Sequence, residues 1–353
     1  MTEKKFVAGN EAIAEAAVQA GCRYYFGYPI TPQNEIGEYM SWRLPEVSGC
    51  FLQAESEVAA IYMVFGAAGA GARVMTSSSS PGISLMQEGI SYIAAAELPC
   101  VIVNMMRGGP GLGGIQPSQS DYFQATRGGG HGDYHLLVLA PSTAQEAVSL
   151  TMLAFDLADK FRNPVMILGD GNIGQMMEPV EFKPAEKPFT AKKDWILDGA
   201  KDRSRRIIKT LYLDPVVLEK RNLLIARKLA EAVKSEVRFE SYMSEDADVL
   251  IAAYGTVARI AKTAIKILRD KGLKVGLLRP ISLYPFPYQA FTQAASKVKS
   301  ILVVEMSMGQ MLQDVKLAVC DRSRVHFYSR VGGIVPSYEE IVDEIEKIAK
   351  EAK

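Results

Sequence analysis

Three segments of the sequence carry side chains that could bind a carboxylate or transfer a proton. Glu55 and Glu57 precede a helical pattern rich in Ala and Gly, where an acid either complements the helix dipole or transfers a proton. Thr31, in the segment YPITP that begins at Tyr28, either caps the following helix or binds an anion together with backbone N–H groups. Arg107 precedes a glycine run, and a guanidinium can hold a carboxylate through two hydrogen bonds. Each segment therefore has a functional and a structural interpretation.

Hydroxyl groups and glycines are concentrated in two segments. Thr76–Gly82 (TSSSSPG) follows a predicted strand, and its hydroxyls either contact a polar ligand or form the turn and cap of a loop. Gly108–Gly114 has no Lys-Ser or Lys-Thr pair at P-loop spacing and is not followed by a convincing helix. We therefore predict a mobile loop that carries Arg107, and not a nucleotide site.

Two patterns that could indicate a metal site are incomplete. Asp170, in the sequence GDGN, begins like the metal–diphosphate motif of thiamine enzymes, but the Asn expected roughly thirty residues later is missing, so we reject a magnesium site. His131 and His135 are four residues apart, yet Gly130 and Gly132 disfavour the helix that would hold both toward one metal. The sequence therefore predicts no metal site in this chain.

Composition and charge exclude several other classes of function. The chain has 353 residues, 48% of them hydrophobic, and its 40 basic and 40 acidic residues cancel, so neither nucleic acid nor an anionic membrane is an expected partner. The four cysteines are scattered, which predicts buried free thiols and no iron–sulfur cluster. The sequence has no signal-peptide pattern and no apolar stretch of about twenty residues, so we expect a cytoplasmic protein.

Short apolar runs alternate with helical patterns on both sides of a charged connector with several prolines, which predicts an α/β protein with two domains built on mostly parallel sheets. The predicted strands are 23–27, 50–53, 73–76, 101–104, 136–139 and 165–168 in the first part and 249–253, 275–278, 301–304 and 325–328 in the second. Residues 1–176 form the first predicted domain, 177–245 the linker with an extended connector and one interface helix, and 246–353 the smaller second domain.

Capping residues predict where several helices begin. Asn10 is the expected N-cap of the first helix, which ends at Gly21. Thr31 precedes Pro32 as the N-cap candidate of the second helix. A further helix is expected from Ser84, after the hydroxyl-rich run, and the last one spans 337–352.

Five motifs occur in an order that resembles the alpha-type subunit of 2-oxoacid:ferredoxin oxidoreductases. They are YPITP, QAESE, TSSSSPG, the arginine–glycine loop ending in GGIQPSQSD, and GGGHGD, and the likeness spans almost the whole chain. This resemblance implies a thiamine diphosphate-binding domain of the pyrimidine type. A smaller domain like the carboxyl-terminal domain of transketolase is expected to follow it.

The resemblance also implies roles for residues at matching positions. Counting back from the glycines of the helix favours Glu57, rather than Glu55, as the catalytic residue that contacts N1′ of the cofactor's aminopyrimidine. Thr31 and Arg107 match residues that hold the substrate carboxylate. The other implied cofactor-binding residues are Tyr28, Ile30 and Ser80.

The family's chemistry implies partners for this chain. Thiamine diphosphate is shared with a beta-type subunit that carries the diphosphate and Mg²⁺ site. Ferredoxin-like and gamma-type subunits are expected as well, with the iron–sulfur clusters on partner subunits. Coenzyme A accepts the acyl group, and ferredoxin accepts the electrons. The active site is therefore expected to form between chains, and the chain is expected to be active only with its partners.

The substrate follows from the likeness of the segment after Arg107 to the branched-chain class, whose substrate is 2-oxoisovalerate. A 2-oxoglutarate enzyme is the alternative, with Arg127 as the cation that could bind a second carboxylate. A non-catalytic assembly subunit is a further alternative. A nucleotide-dependent dehydrogenase would need G-x-G-x-x-G after its first strand, which instead runs into YPITP.

Overall fold

The computed structural model describes residues 4–183 and 193–351. Two prolines of the predicted connector, Pro184 and Pro188, lie outside these residues, as does Ala352 in the predicted last helix. Within the two described ranges, no helix is both long enough and apolar enough to cross a membrane.

Strands and helices alternate along the described chain. The strands are β1 (Lys5–Ala8), β2 (Tyr24–Gly27), β3 (Cys50–Gln53), β4 (Val74–Ser78), β5 (Cys100–Met106), β6 (Leu137–Leu139), β7 (Pro164–Asp170), β8 (Met177–Val180), β9 (Phe239–Tyr242), β10 (Val249–Ala252), β11 (Val275–Pro280), β12 (Ser282–Tyr284), β13 (Ser300–Glu305) and β14 (Val325–Ser329). The helices are α1 (Gly9–Gln19), α2 (Asn34–Glu46), α3 (Glu57–Gly69), α4 (Ser80–Ala95), α5 (Tyr122–Arg127), α6 (Ala144–Phe161), α7 (Gly171–Gln175), α8 (Pro215–Ser235), α9 (Gly255–Asp270), α10 (Tyr288–Ala295), α11 (Gln310–Ala318) and α12 (Tyr338–Glu351).

The first sheet has the strand order β12-β6-β7-β5-β4-β2-β3 among the described residues, and only β12 in it is antiparallel to its neighbour. Helices α1, α2 and α6 pack on one face, whereas α3 and α4 pack on the other. The strand order reverses between β2 and β4, so the carboxyl ends of these strands border a crevice where α/β sheets usually bind ligands. The predicted parallel sheet is confirmed.

The second sheet has the order β14-β13-β10-β11-β9 among the described residues. Helices α9 and α12 cover one face, and α10 and α11 cover the other. One hydrophobic cluster joins α10 and α11 to α3 and α4 of the first sheet, and β12 comes from the second half of the chain but pairs with β6. The two sheets therefore share part of their core.

Four short strands were absent from the sequence prediction. They are β1, β8, β9 and β12, each of three or four residues. Three of them contain exposed residues, so they lack the continuous apolar run that marks the buried parallel strands.

Two predicted N-caps and one predicted helix start are wrong. Helix α1 begins at Gly9 after Ala8, and the Asn10 side chain instead donates to the Pro32 carbonyl at 2.8 Å. Thr31 is not the N-cap of α2, because the Gln33 N–H donates to the Ile30 carbonyl and the chain remains a turn until Asn34. Helix α4 begins at Ser80 and not at Ser84.

A buried arginine connects the two sheets. Arg279 on β11 is 1% exposed, and its guanidinium contacts Glu146 on α6 at 2.6 Å and Glu240 on β9 at 2.9 Å. Burial opposes ionisation of Glu146, but the hydrogen bonds and charge of Arg279 outweigh it and hold the pKa of that carboxyl below its ordinary value of 4.5. The ion pair therefore stabilises the fold above this pH.

We expect Arg279→Met to lower the free energy of unfolding by about 2 kcal/mol at pH 7. This is less than the usual cost of removing one partner of a fully buried ion pair, because the Glu146 side chain is 34% exposed. The pKa of Glu146 is lowered in the folded state, so its contribution is present above 4.5 and is lost as the pH falls through the folded-state pKa below that value. The difference from wild type should therefore shrink as the pH is lowered below 4.5. Urea denaturation at pH 7 and at a series of pH values below 4.5 measures the difference. Lys347→Met, which removes an exposed pair with Glu344, is the control and should change stability by less than about 0.5 kcal/mol.

Candidate active site

Glu57 is the buried acid at the crevice. It is the first residue of α3, whose N-cap Ser56 accepts a hydrogen bond from the Ala59 N–H at 3.3 Å. Glu57 is 5% exposed, whereas Glu55, two residues earlier, is exposed. Among the residues that the structure describes, no group donates a hydrogen bond to the Glu57 carboxylate. The carboxylate is therefore free to bind a ligand, and the structure distinguishes Glu57 clearly from Glu55.

Gly82 on α4 forms a wall beside this carboxylate. A Cβ atom at Gly82 would lie 2.4 Å from Oε1 of Glu57 and 2.0 Å from Oγ of Ser78, closer than real Cβ contacts allow. The hydroxyls of Ser78 and of neighbouring Ser79 are buried and have no hydrogen-bond partner within the described chain. A side chain at position 82 would therefore displace the Glu57 carboxylate or the Ser78 hydroxyl, and the unpartnered Ser78 hydroxyl faces the same position as Glu57.

A side-chain network holds the YPITP turn against β4. The Tyr25 hydroxyl lies 2.6 Å from Oγ of Ser77, and Ser77 donates to Oε1 of Gln33. The Gln33 amide also reaches the Tyr28 carbonyl, at 3.4 Å. Gln33 was not identified from the sequence, although a buried amide directly after a double-proline turn was a possible signal.

The structure brings Arg107 and Thr31 together. The Arg107 guanidinium is 6% exposed and donates to the backbone carbonyls of Thr31 at 2.9 Å and of Leu112 at 3.0 Å. Its Nε is buried without a partner in the described chain. A guanidinium has five N–H donors, so groups remain for a carboxylate. Within the described residues, the Thr31 hydroxyl takes part in a single long hydrogen bond, which it accepts from Asn34 at 3.4 Å.

Ser80 is held by groups of the protein itself. Its hydroxyl lies 2.6 Å from Oδ2 of Asp121 and accepts a hydrogen bond from the Arg107 N–H at 3.0 Å. Asn104 on β5 accepts from the Ser80 N–H and donates to Asp121. Burial raises the pKa of Asp121, and the hydrogen bonds from Ser80 and Asn104 oppose this rise. Sequence reasoning missed Asn104, although a polar residue within the apolar run VIVNMM was a signal.

Cavities border this network on either side. One of about 320 Å³ lies between α2 and the ends of β2 and β3, and its lining includes Tyr28, Gln33 and Gln53. Another, of about 470 Å³, lies between the two sheets and is lined partly by Ser80, Gly109–Gly111 and Asp121. Neither cavity includes Glu57 or Arg107 in its lining. Ile30 is partly buried in the turn between them.

The residues of the incomplete metal patterns have structural contacts. Asp170 accepts hydrogen bonds from two backbone N–H groups of α7 and from the Thr256 hydroxyl at 2.8 Å. His135 stacks on the Tyr284 ring with 4.2 Å between ring centroids. Within the described ranges, no group of three or more His, Cys, Asp or Glu side chains could hold a metal ion.

The prediction of buried thiols is correct for two cysteines and wrong for two. Cys22 and Cys100 are buried, and burial raises the pKa of each to about 12. Cys50 and Cys320 are exposed. Cys50 begins the edge strand β3 and Cys320 follows the end of α11, positions whose exposure apolar patterning does not reveal.

Comparison with known proteins identifies the family to which the chain belongs. Residues 15–244 match the family described as pyruvate flavodoxin/ferredoxin oxidoreductase, thiamine diphosphate-binding, and residues 247–341 match pyruvate:ferredoxin oxidoreductase core domain II. Ketoisovalerate oxidoreductase subunit VorB of Methanothermobacter marburgensis is 48% identical over 99% of both chains. The 2-oxoglutarate synthase subunit KorA of Methanothermobacter thermautotrophicus is 37% identical over 99% of this chain and 100% of its own.

A solved structure extends the comparison to the fold. The 2-oxoglutarate:ferredoxin oxidoreductase from Magnetococcus marinus, with 2-oxoglutarate, coenzyme A and succinyl-CoA bound, superimposes with a TM-score of 0.88 at 28% identity. The match covers 98% of this chain and 65% of that one, so this chain spans about two-thirds of its length. The resemblance predicted from the motifs is thereby confirmed: the chain belongs to the 2-oxoacid:ferredoxin oxidoreductase family and is a subunit of such an enzyme.

Proposed function

We propose that this subunit supplies the aminopyrimidine half of a thiamine diphosphate site. The complex would oxidatively decarboxylate a branched-chain 2-oxoacid to acyl-CoA and CO₂ while reducing ferredoxin. The observation that carries the proposal is the buried Glu57 carboxylate, which has no donor within the described protein and lies against Gly82 at the switch point of the sheet. The unpartnered Ser78 hydroxyl, which faces the same Gly82 position, fits a ligand with polar atoms.

Each residue of the site has a chemical task in this proposal. When bound, thiamine diphosphate supplies the carbon nucleophile that attacks the 2-oxo group. Glu57 would bind the aminopyrimidine at N1′ and hold a proton there, as general acid and base. Arg107 would bind the substrate carboxylate through the donors that its backbone contacts leave free, and Thr31 would orient that carboxylate. Tyr28, Ile30 and Ser80 would shape the cofactor's surroundings.

The remaining machinery is proposed to lie on partner chains. A beta-type subunit would carry the diphosphate and Mg²⁺ site, and ferredoxin-like and gamma-type subunits would carry iron–sulfur clusters to ferredoxin. The proposed chemistry needs such groups, and the described residues of this chain offer no cluster of metal ligands. We also propose the division into a cofactor domain at 1–176, a linker at 177–245 and a second domain at 246–353.

Contacts of Arg127 favour 2-oxoisovalerate over 2-oxoglutarate as the substrate. Arg127 pairs with the buried Asp314 at 3.0 Å, and its guanidinium lies 5.2 Å from the centroid of the Phe123 ring. The cation that could have bound a second carboxylate is therefore already paired. The relative at 48% identity is named a ketoisovalerate oxidoreductase subunit, whereas that at 37% is named for 2-oxoglutarate, which supports the same choice.

In the purified complex we expect kcat/KM for 2-oxoisovalerate to exceed that for 2-oxoglutarate by at least about tenfold, because Arg127 is paired with Asp314 and would leave a distal carboxylate unpaired. Ferredoxin reduction measured with each 2-oxoacid gives the ratio. An equal or greater value for 2-oxoglutarate would replace the branched-chain proposal with its alternative.

A further inference from the structure

Asp121 is a charged side chain to which the proposed chemistry assigns no task. It lies directly before α5, where an aspartate usually caps the helix, yet its side chain makes no capping hydrogen bond. Its Oδ2 atom instead receives hydrogen bonds from the Ser80 hydroxyl at 2.6 Å and the Asn104 amide at 2.9 Å. Partial burial of this carboxyl costs free energy, and helix capping does not offset that cost. The hydrogen bonds from Ser80 and Asn104 therefore indicate a role other than helix capping.

The Ser80 hydroxyl links Asp121 to Arg107. It has a single O–H donor, and two acceptors are near: the Asp121 carboxylate at 2.6 Å and the Arg107 carbonyl at 3.3 Å. The shorter contact, to a charged acceptor, is the stronger one. With its proton directed at Asp121, the hydroxyl oxygen presents a lone pair to the Arg107 N–H at 3.0 Å.

Asn104 contacts both Ser80 and Asp121. Its Oδ1 accepts from the Ser80 N–H at 3.1 Å while its amide donates to Asp121. Ser80 has a φ of +22°, which is unfavourable for a residue with a side chain, so its backbone depends on such contacts. Asp121 and Asn104 together hold Ser80 in the one orientation that binds the Arg107 backbone.

We propose that Asp121 is a positioning residue that acts through Ser80 to hold Arg107 where it binds the substrate carboxylate. This inference rests on the proposed function of Arg107. Without the carboxylate, the Ser80 side chain would be free to rotate about its Cα–Cβ bond, which would move the hydroxyl oxygen away from the Arg107 N–H. The guanidinium would then be displaced from the carboxylate without any change in its charge.

The test compares Asp121→Ala, Asp121→Asn and Asp314→Ala in the purified complex. Asp121→Ala should raise KM for the 2-oxoacid at least about tenfold and change kcat less than about threefold, since a misplaced guanidinium weakens substrate binding. The Asn variant keeps a carbonyl acceptor for Ser80 and Asn104, so its KM should return to within about threefold of wild type. Asp314 is the control, an aspartate that is more deeply buried than Asp121 and accepts from Tyr122 and Arg127 but does not contact Ser80.

Amide hydrogen exchange of the peptide that contains Arg107 provides a readout independent of turnover. Protection of this peptide should fall in Asp121→Ala and stay unchanged in Asp314→Ala. An unchanged KM and unchanged protection in Asp121→Ala, or an equal rise of KM in Asp314→Ala, would overturn the proposal. If the wild-type complex reduces no ferredoxin with any 2-oxoacid, the proposed function fails, and the exchange data still decide whether Asp121 positions Arg107.

Discussion

Replacement of Glu57 by Gln is expected to lower kcat of the assembled complex at least about a hundredfold, the usual scale for removing a group essential to proton transfer. Gln has nearly the same shape and can still form a hydrogen bond, but it cannot hold a transferable proton. Because Glu57 is buried and receives no hydrogen bond from the described protein, the substitution leaves no broken internal contact. Ferredoxin reduction under saturating substrate and cofactor measures the change.

Glu55→Gln is the matched control for this experiment. Glu55 lies two residues earlier and is exposed, so its substitution removes the same charge near the same helix without touching the buried site. We expect its kcat to remain within about twofold of wild type, as for ordinary surface substitutions. Unchanged activity in Glu57→Gln, with intact assembly, would instead support a non-catalytic assembly subunit.

The second large effect is expected for Arg107→Ala, which should lower kcat/KM for the 2-oxoacid at least about a hundredfold. Hydrogen bonds to charged groups contribute about 1.5–3 kcal/mol each, and the fork of Arg107 would lose two of them to the substrate. The same guanidinium also joins the Thr31 and Leu112 carbonyls, so its removal loosens the turn and the glycine loop together. Initial rates over a range of substrate concentrations give the value.

Arg107→Lys separates charge from geometry. A lysine keeps the positive charge but cannot contact both carbonyls and a carboxylate in one plane, so it should recover only part of the lost kcat/KM. Arg127→Lys is the control, because Arg127 pairs with Asp314 and does not contact Arg107. A decrease of less than about threefold in Arg107→Ala would show that another group binds the substrate carboxylate.

The sequence predicted the strands and helices whose patterns are long and apolar. Strands β5 and β7 are buried along their whole length, and their apolar runs were identified to within two residues at each end. Helix starts were less predictable. Asn10 and Thr31 are of residue types that often cap helices, but each is held by hydrogen bonds to segments that are distant in the sequence, and these bonds determine where the helix begins. Asn10 contacts Pro32 and Glu35, more than twenty residues away.

Sequence reasoning identified site residues only where a motif contained them. Glu57 and Arg107 stand out by charge and position. In the structure Glu57 lies next to Gly82 after β4, and Arg107 contacts the turn after β2. Gln33, Asn104 and Asp121 contact Ser77 or Ser80 across sequence separations of 24 to 44 residues. Such contacts depend on which strands are neighbours, and a single sequence does not give that order.

Strand β12 limits how the chain can be rearranged. It lies after three strands of the second sheet in sequence, yet it forms an edge of the first sheet beside β6. A fragment ending before it would expose the backbone groups of β6, which is a recognised route to aggregation. Grafting the second unit from a relative would likewise replace an edge of the cofactor-binding sheet. Because β12 pairs with β6, substitutions in the two halves of the gene are expected to be correlated at this contact. Chimaeras between family members should carry the residues of β12 together with the first half.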